Sequence, residues 1–246
     1  MTRASDDAPD AELRAWLEEL GRTEPHPDAE ALESIWRAVD AQTSTADTAP
    51  TFWWRSRPTP VRRAIGATGT ALVIGAGGVL ALRSDFAQLP VIPTALVLGA
   101  LLCLLGLALN DALRPLHQPV TSWMHGAVTA ATLSATFLIA WLWPVDVAEP
   151  ALGGPTAHLP CFFAGIAAGF PIYLLLRWLD RGPSNSVLTA ACAAGLSANL
   201  VLQLHCPIDR KEHLLFGHFG AVAFIVLALG AARMLRRANK IKSAPR

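Results

Sequence analysis

The chain has 246 residues, of which 52% are apolar and only 16% are charged. Soluble globular domains usually carry about 25% charged residues, so this composition argues against an ordinary soluble enzyme or binding domain. The net charge of +1 conceals an uneven distribution: residues 1–50 hold twelve acidic and four basic residues, whereas the rest of the chain is basic. Such a division indicates a distinct tail beside a membrane or a charged partner.

Residues 1–60 predict an acidic cytoplasmic tail with two short amphipathic helices followed by a linker. Two segments repeat apolar residues at helical spacing, and Asp10 and Asp28 are suitable N-caps for them. Isolated helices of about ten residues are marginal in water, so these apolar faces need a covering surface. The apolar positions are Leu13, Trp16, Leu17 and Leu20 in the first segment and Leu32, Ile35, Trp36 and Val39 in the second.

Three surfaces are available to cover these helices. The membrane is disfavoured, because the tail is acidic and the inner leaflet of a membrane is anionic. The two segments can pack against each other as a hairpin, or they can dock into grooves on a partner protein. We expect a protein partner that is itself basic, such as a DNA-binding protein, and no direct contact between this chain and nucleic acid.

Six apolar stretches follow the tail, and each approaches the roughly 20 residues that a helix needs to cross a bilayer. None contains Asp, Glu, Lys or Arg, and each is apolar all round rather than on one face. The sequence therefore predicts an all-α fold, with a six-helix transmembrane bundle over residues 61–235 and a basic cytoplasmic tail at 236–246. The stretches are 64–82, 91–109, 123–143, 160–176, 187–204 and 214–232.

The distribution of Lys and Arg predicts the orientation of these spans. With the N-terminus inside the cell, thirteen Lys and Arg residues flank the spans on the inner side and three lie on the outer side. Positive residues are enriched in short cytoplasmic loops. We therefore expect a multi-pass protein of the bacterial inner membrane with both termini in the cytoplasm.

This topology brings two cysteines and several histidines to the outer surface. Cys161 opens the fourth span, and Cys206 follows the fifth. A disulfide, a zinc or copper site, and simple structural packing are all compatible with these residue types. GxSxG, HExxH and Walker motifs are absent from the sequence, so we do not expect an enzyme. The candidate metal ligands are His158, Cys161, His205, Cys206, His213 and His218.

The second half of the chain resembles the NrsF family of integral membrane anti-sigma factors, named as negative regulators of sigma F. The resemblance covers residues 60–235 in topology and 160–220 in motif. It implies that the tail sequesters an extracytoplasmic-function sigma factor and that Cys161 and Cys206 are the signal-responsive pair. The segments that carry it are CFFAGIAAGFPIYLLLRWLDRGPS from Cys161, AACAAGLSANL, and LHCPIDRKEHLLFGHFG from Leu204.

Two other functions use the same residues. A small membrane transporter or metal-binding protein would use the Cys/His cluster and have no need of the tail. The lack of acidic residues inside the predicted spans disfavours coupling such a transporter to protons. A membrane thiol oxidoreductase would require a quinone or a CxxC partner, and the sequence indicates neither.

Overall fold

The computed structural model describes residues 19, 30, 32–37, 56–79, 82–115, 122–142, 158–180, 186–208 and 210–242. The chain divides into two compact units, residues 1–52 and 53–246. In the first unit, residues 32–37 are helical, and the side chains of Leu32, Ile35 and Trp36 are between 43% and 63% exposed. The remaining predicted partner-binding positions, Leu13, Trp16, Leu17, Leu20 and Val39, lie outside the described residues.

The second unit is built from helices, and its described residues contain no strand, so the all-helical prediction is confirmed for them. A short 3-10 turn, Phe86–Gln88, precedes the second helix. The last helix, α6, runs through three consecutive segments, of which the middle one is a π-helix. The helices are α1 Thr59–Val79, α2 Val91–Ala112, α3 Ser122–Leu142, α4 His158–Leu179, α5 Val187–His205, and α6, made of Lys211–His213, Leu214–Phe219 and Gly220–Lys242.

Five helices of the described part, α2 to α6, are long and apolar enough to cross a membrane by length and composition. Helix α1 covers most of the first predicted span, but Arg62, Arg63 and several glycines make it less apolar than the others. Large apolar side chains on the outer helices, such as Val91, Ile92 and Leu142, are mostly exposed. Exposed apolar surface of this extent is typical of contact with lipid rather than with water.

Helix α5 lies at the centre of the bundle, and each of the other five helices packs against it. Its residues from Val187 to Gln203 are nearly all buried, and most of them are small. Glycines on neighbouring helices allow close approach: a Cβ atom on Gly169 would lie 2.9 Å from the carbonyl oxygen of Ala194. Small residues at helix contacts let backbones pack closely where lipid provides no hydrophobic driving force.

Polar groups are concentrated at one end of this bundle, where α1, α3 and α5 begin and α2 and α4 end. The Arg62 guanidinium donates a hydrogen bond to the carbonyl oxygen of Leu179 at 2.9 Å. The second predicted span was expected to end at residue 109, but α2 continues and buries Asp111. This buried carboxylate is tolerated because it pairs with Arg114 and lies 2.8 Å from His125 Nδ1.

Candidate functional site

Cys161 and Cys206 meet at the opposite end of the bundle, although 45 residues separate them in the sequence. Cys161 lies in the first turn of α4, and Cys206 caps the C-terminus of α5, where its N–H donates to the carbonyl of Leu202 at 2.8 Å. Their sulfur atoms are 3.4 Å apart, and both are free cysteines. The structure therefore brings together the two thiols that the predicted topology assigns to one surface.

His213 and His218, both from α6, complete a four-residue cluster with these cysteines. The Nε2 atom of His213 lies 3.1 Å from the Cys206 sulfur, and the two imidazole rings are 5.6 Å apart at their centroids. One ligand atom from each of the four residues lies within 4.8 Å of the others. Cys206, His213 and His218 are each at most 5% exposed, so the cluster is closed on most sides.

The π-helical segment Leu214–Phe219 explains how the two histidines reach the same side of α6. Residues five apart in an α-helix point about 140° away from each other. In a π-turn the hydrogen bonds run from residue i to i+5, which aligns residues five apart. His213 and His218 have this spacing. Single π-turns are frequently found at functional sites.

Gly217 allows α6 to approach α4 beside the cluster. A Cβ atom at this position would lie 3.3 Å from the carbonyl oxygen of His158 and 3.4 Å from the Cβ of Cys161. Both distances are at or below the short end of ordinary van der Waals contact, so a larger side chain would push the two helices apart. Gly217 therefore brings the histidines of α6 within reach of Cys161.

Arg83 fixes the connection between α5 and α6, which carries Cys206. Its backbone N–H donates to the Leu204 carbonyl at 2.9 Å, and its guanidinium donates to the Pro207 carbonyl at 3.4 Å. The same guanidinium binds both carboxylate oxygens of Asp85, at 2.7 and 2.6 Å. These hydrogen bonds hold the pKa of Asp85 below its usual range. Arg83 thereby links the α1–α2 loop to the turn that follows Cys206.

The electrostatics around Cys206 favour a protonated thiol when the site holds no cation. The contact with Cys161 and then burial raise the pKa of Cys206, while His213 and His218 act in the opposite direction. A metal ion would reverse this balance, because a coordinated thiol is deprotonated. The same two sulfurs, 3.4 Å apart, are also close enough to be joined as a disulfide if an external oxidant removes two electrons and the two thiol protons are released.

The remaining predicted residues lie outside the four-residue cluster. His158 begins α4, and its ring packs against Phe216 at 5.6 Å between centroids. His205 is exposed at the end of α5. Cys192 is buried in α5 with its sulfur 3.6 Å from the Thr129 hydroxyl, while Cys103 is exposed on α2. Neither histidine contributes a ligand atom to the cluster formed by the described residues.

The sequence interpretation did not single out Gly217 or Arg83 as parts of this site. Gly217 lies between His213 and His218 in the sequence, and this position was the feature that could have indicated its place in the site. Arg83 is one of only three basic residues on the predicted outer side. A buried arginine at that surface costs free energy unless a carboxylate pairs with it. The acidic residue two positions later, Asp85, was therefore the feature of the sequence that could have indicated this pair.

Comparisons with protein-family models, with curated proteins and with solved structures found no match to this chain.

Proposed function

We propose that this protein is a membrane-bound anti-sigma factor. Its N-terminal tail holds an extracytoplasmic-function sigma factor at the inner membrane, and a redox or metal signal at the Cys/His cluster releases it. The observation that carries the proposal is the convergence of Cys161 and Cys206 with two histidines at one end of the helical bundle. Two thiols held in contact by separate helices can convert oxidation or metal binding into a change of helix packing.

The tail supports the binding half of this proposal. Leu32, Ile35 and Trp36 form an apolar stripe on an acidic helical segment, and all three are exposed. An amphipathic helix with exposed apolar residues at this spacing is the usual ligand for a hydrophobic groove. The excess of acidic residues in residues 1–50 suits a partner with a basic surface, as DNA-binding proteins have.

The proposal includes six spans, with α1 as the first. Although α1 is less apolar than the others, it packs along the whole bundle: its Gly66 faces Leu113 and Leu176, and its Gly77 faces Val201. With six crossings, both termini lie in the cytoplasm and the cluster lies on the outer surface. Reporter fusions at the N- and C-termini should then both give cytoplasmic signals.

The binding half is tested with the full-length protein in detergent and a purified extracytoplasmic-function sigma factor from the same organism. The wild type should capture this sigma factor under reducing conditions. Replacement of Leu32, Ile35 and Trp36 by Ala should weaken capture by at least about tenfold, since truncating anchor residues of an interface commonly costs 2 kcal/mol or more. The control, Ser34→Ala, changes the opposite side of the same helix and leaves both the apolar stripe and the acidic charge intact.

Capture that survives the triple replacement would contradict the assigned binding surface, and no capture by the wild type would contradict the anti-sigma function.

A second candidate is a small membrane transporter or metal-handling protein that uses the same cluster. The observation behind it is that four potential metal ligands, Cys161, Cys206, His213 and His218, converge in one cluster. This function predicts metal uptake into proteoliposomes by a protein that lacks residues 1–52. The anti-sigma function predicts no uptake and a loss of signalling when the tail is removed.

A further inference from the structure

The four side chains of the cluster have the composition and spacing of a tetrahedral metal site. Zinc–sulfur bonds are about 2.3 Å and zinc–nitrogen bonds about 2.0–2.1 Å long, so neighbouring ligand atoms around zinc are separated by about 3.3–3.8 Å. The two sulfurs are 3.4 Å apart, and Cys206 Sγ is 3.1 Å from His213 Nε2. The longest separation within the set is below 4.8 Å. Small side-chain rotations are therefore sufficient to close four ligands around one ion.

The helix geometry shows that the histidines are brought to this point by the backbone. A regular α-helix would separate His213 and His218 by about 140° around its axis. The π-turn Leu214–Phe219 brings them together at a point facing Cys161 and Cys206. Gly217 keeps α6 close enough to α4 for the fourth ligand to take part.

The ligand types identify the class of metal. Calcium and magnesium require oxygen ligands, and the cluster has none. Copper(II) prefers a tetragonal arrangement, whereas two thiolates and two imidazoles in a closed, tetrahedral set are typical of structural zinc. Such a site leaves no open position for substrate or water, so it serves to hold parts of the protein together.

We propose that Cys161, Cys206, His213 and His218 bind one zinc ion, which fastens the outer ends of α4, α5 and α6 to one another. Only the regulatory meaning of this site rests on the proposed anti-sigma function: the zinc-bound form is the resting state in which the thiols are held as ligands. Metal binding itself depends only on the four side chains. His158 and His205, on the same surface, do not take part.

The experiment uses the full-length protein, purified in detergent with a tag that contains no histidines. Elemental analysis should find about one zinc ion per chain. Cys161→Ser, Cys206→Ser, His213→Ala and His218→Ala should each lower the zinc affinity at least about tenfold, because each removes a ligand. His158→Ala and His205→Ala are matched controls from the same surface, and they should retain the metal.

Cobalt(II) substitution tests the geometry. The wild type should give the intense visible bands of a tetrahedral site together with sulfur-to-cobalt charge transfer. His213→Cys should restore binding that His213→Ala loses, with stronger charge-transfer absorption from a third sulfur, and circular dichroism reports whether each variant is folded. A weak octahedral cobalt spectrum, or full zinc content in Cys161→Ser, would overturn the proposal.

Different results would refute the proposed metal site and the proposed anti-sigma function. A protein that captures the sigma factor but contains no zinc and gives no tetrahedral cobalt spectrum would refute the site alone. A protein that binds zinc through these four residues but captures no sigma factor would refute the anti-sigma function and leave the site in place.

Discussion

Single residues determine how closely the helices approach the central helix α5. Gly169 on α4 is the position at which an added Cβ would meet the backbone of α5: it would lie 2.9 Å from the Ala194 carbonyl oxygen, and also 2.9 Å from Ile225 Cδ1. A side-chain methyl group can rotate away, but a helix carbonyl cannot. Gly106 on α2 is the opposite case, since a Cβ there would have no neighbour within 4 Å.

These two glycines give a matched pair of substitutions. Gly169→Ala should lower the free energy of unfolding by about 1–2 kcal/mol, because overpacking outweighs the gain in helix propensity. Gly106→Ala should leave it unchanged or raise it by up to about 1 kcal/mol. Thermal unfolding in detergent, followed by circular dichroism, measures both. Equal effects at the two positions would contradict the packing of α4 on α5.

Asp85 gives the protein a pH-dependent contact next to the cluster. Its pKa is lowered from the ordinary value of 3.8, chiefly by the hydrogen bonds from Arg83. A carboxyl group with a lowered pKa in the folded state contributes stability above its unfolded pKa, and this contribution disappears as the pH falls through the folded value. Because the carboxylate is partly exposed, its contribution is at most about 1 kcal/mol.

Asp85→Asn should therefore lower the melting temperature slightly at pH 7, and the difference should disappear at a pH below the lowered pKa of Asp85, where the wild-type carboxyl group is protonated as well. Ser84→Ala, at the exposed neighbouring position, is the control and should match the wild type at both pH values. A difference between wild type and Asp85→Asn that persists unchanged at low pH would show that the Arg83–Asp85 pair is not its source.

At the scale of the helix, the π-turn in α6 predicts how zinc binding responds when one residue is removed from the turn or added to it. A π-turn is equivalent to an α-helix with one inserted residue. Deletion of Leu215 should convert it into a regular α-helix in which the two histidines are four residues apart, a spacing that also keeps them on one face. Zinc binding should survive this deletion. Insertion of one Ala after Leu215 should abolish it, because the histidines would then diverge.

Zinc content and the cobalt(II) spectrum distinguish the two length variants, and Leu215→Ala, which keeps the length, serves as the control. If the deletion and the insertion both abolish binding while the control retains it, then the π-turn itself, rather than the shared face of the two histidines, is required.

At the scale of the whole molecule, much of the helical architecture could be predicted, because lipid requires long apolar helices with satisfied backbones. The apolar stretch 160–176 lies inside α4, His158–Leu179, and 187–204 matches α5. The second span was predicted to end too early, because Asp111 indicates the end of a span as long as its buried partner, His125, is not known. The sequence does not reveal such pairs, since they depend on the contact between two helices.

The candidate site was predictable in outline only. Counting crossings was enough to assign Cys161 and Cys206 to one surface. It could not separate His213 and His218 from His158 and His205, since all four lie near the same predicted surface. These histidines differ in the side of the helix on which each one lies. For His213 and His218 the π-turn determines that side, and a π-turn leaves no periodic pattern in the sequence.

The packing of α1 has a consequence for communication between the two ends of the helical bundle. Gly77 and Gly78, near its C-terminal end, face Val201 and Leu204, which shortly precede Cys206, and a Cβ on either glycine would come within 2.7 Å of these side chains. At its other end, Arg62 is bonded to Leu179. Helix α1 thus contacts α5 near Cys206 at one end and α4 at the other, so a displacement of the last turn of α5 would be transmitted along α1 to the opposite end of the bundle.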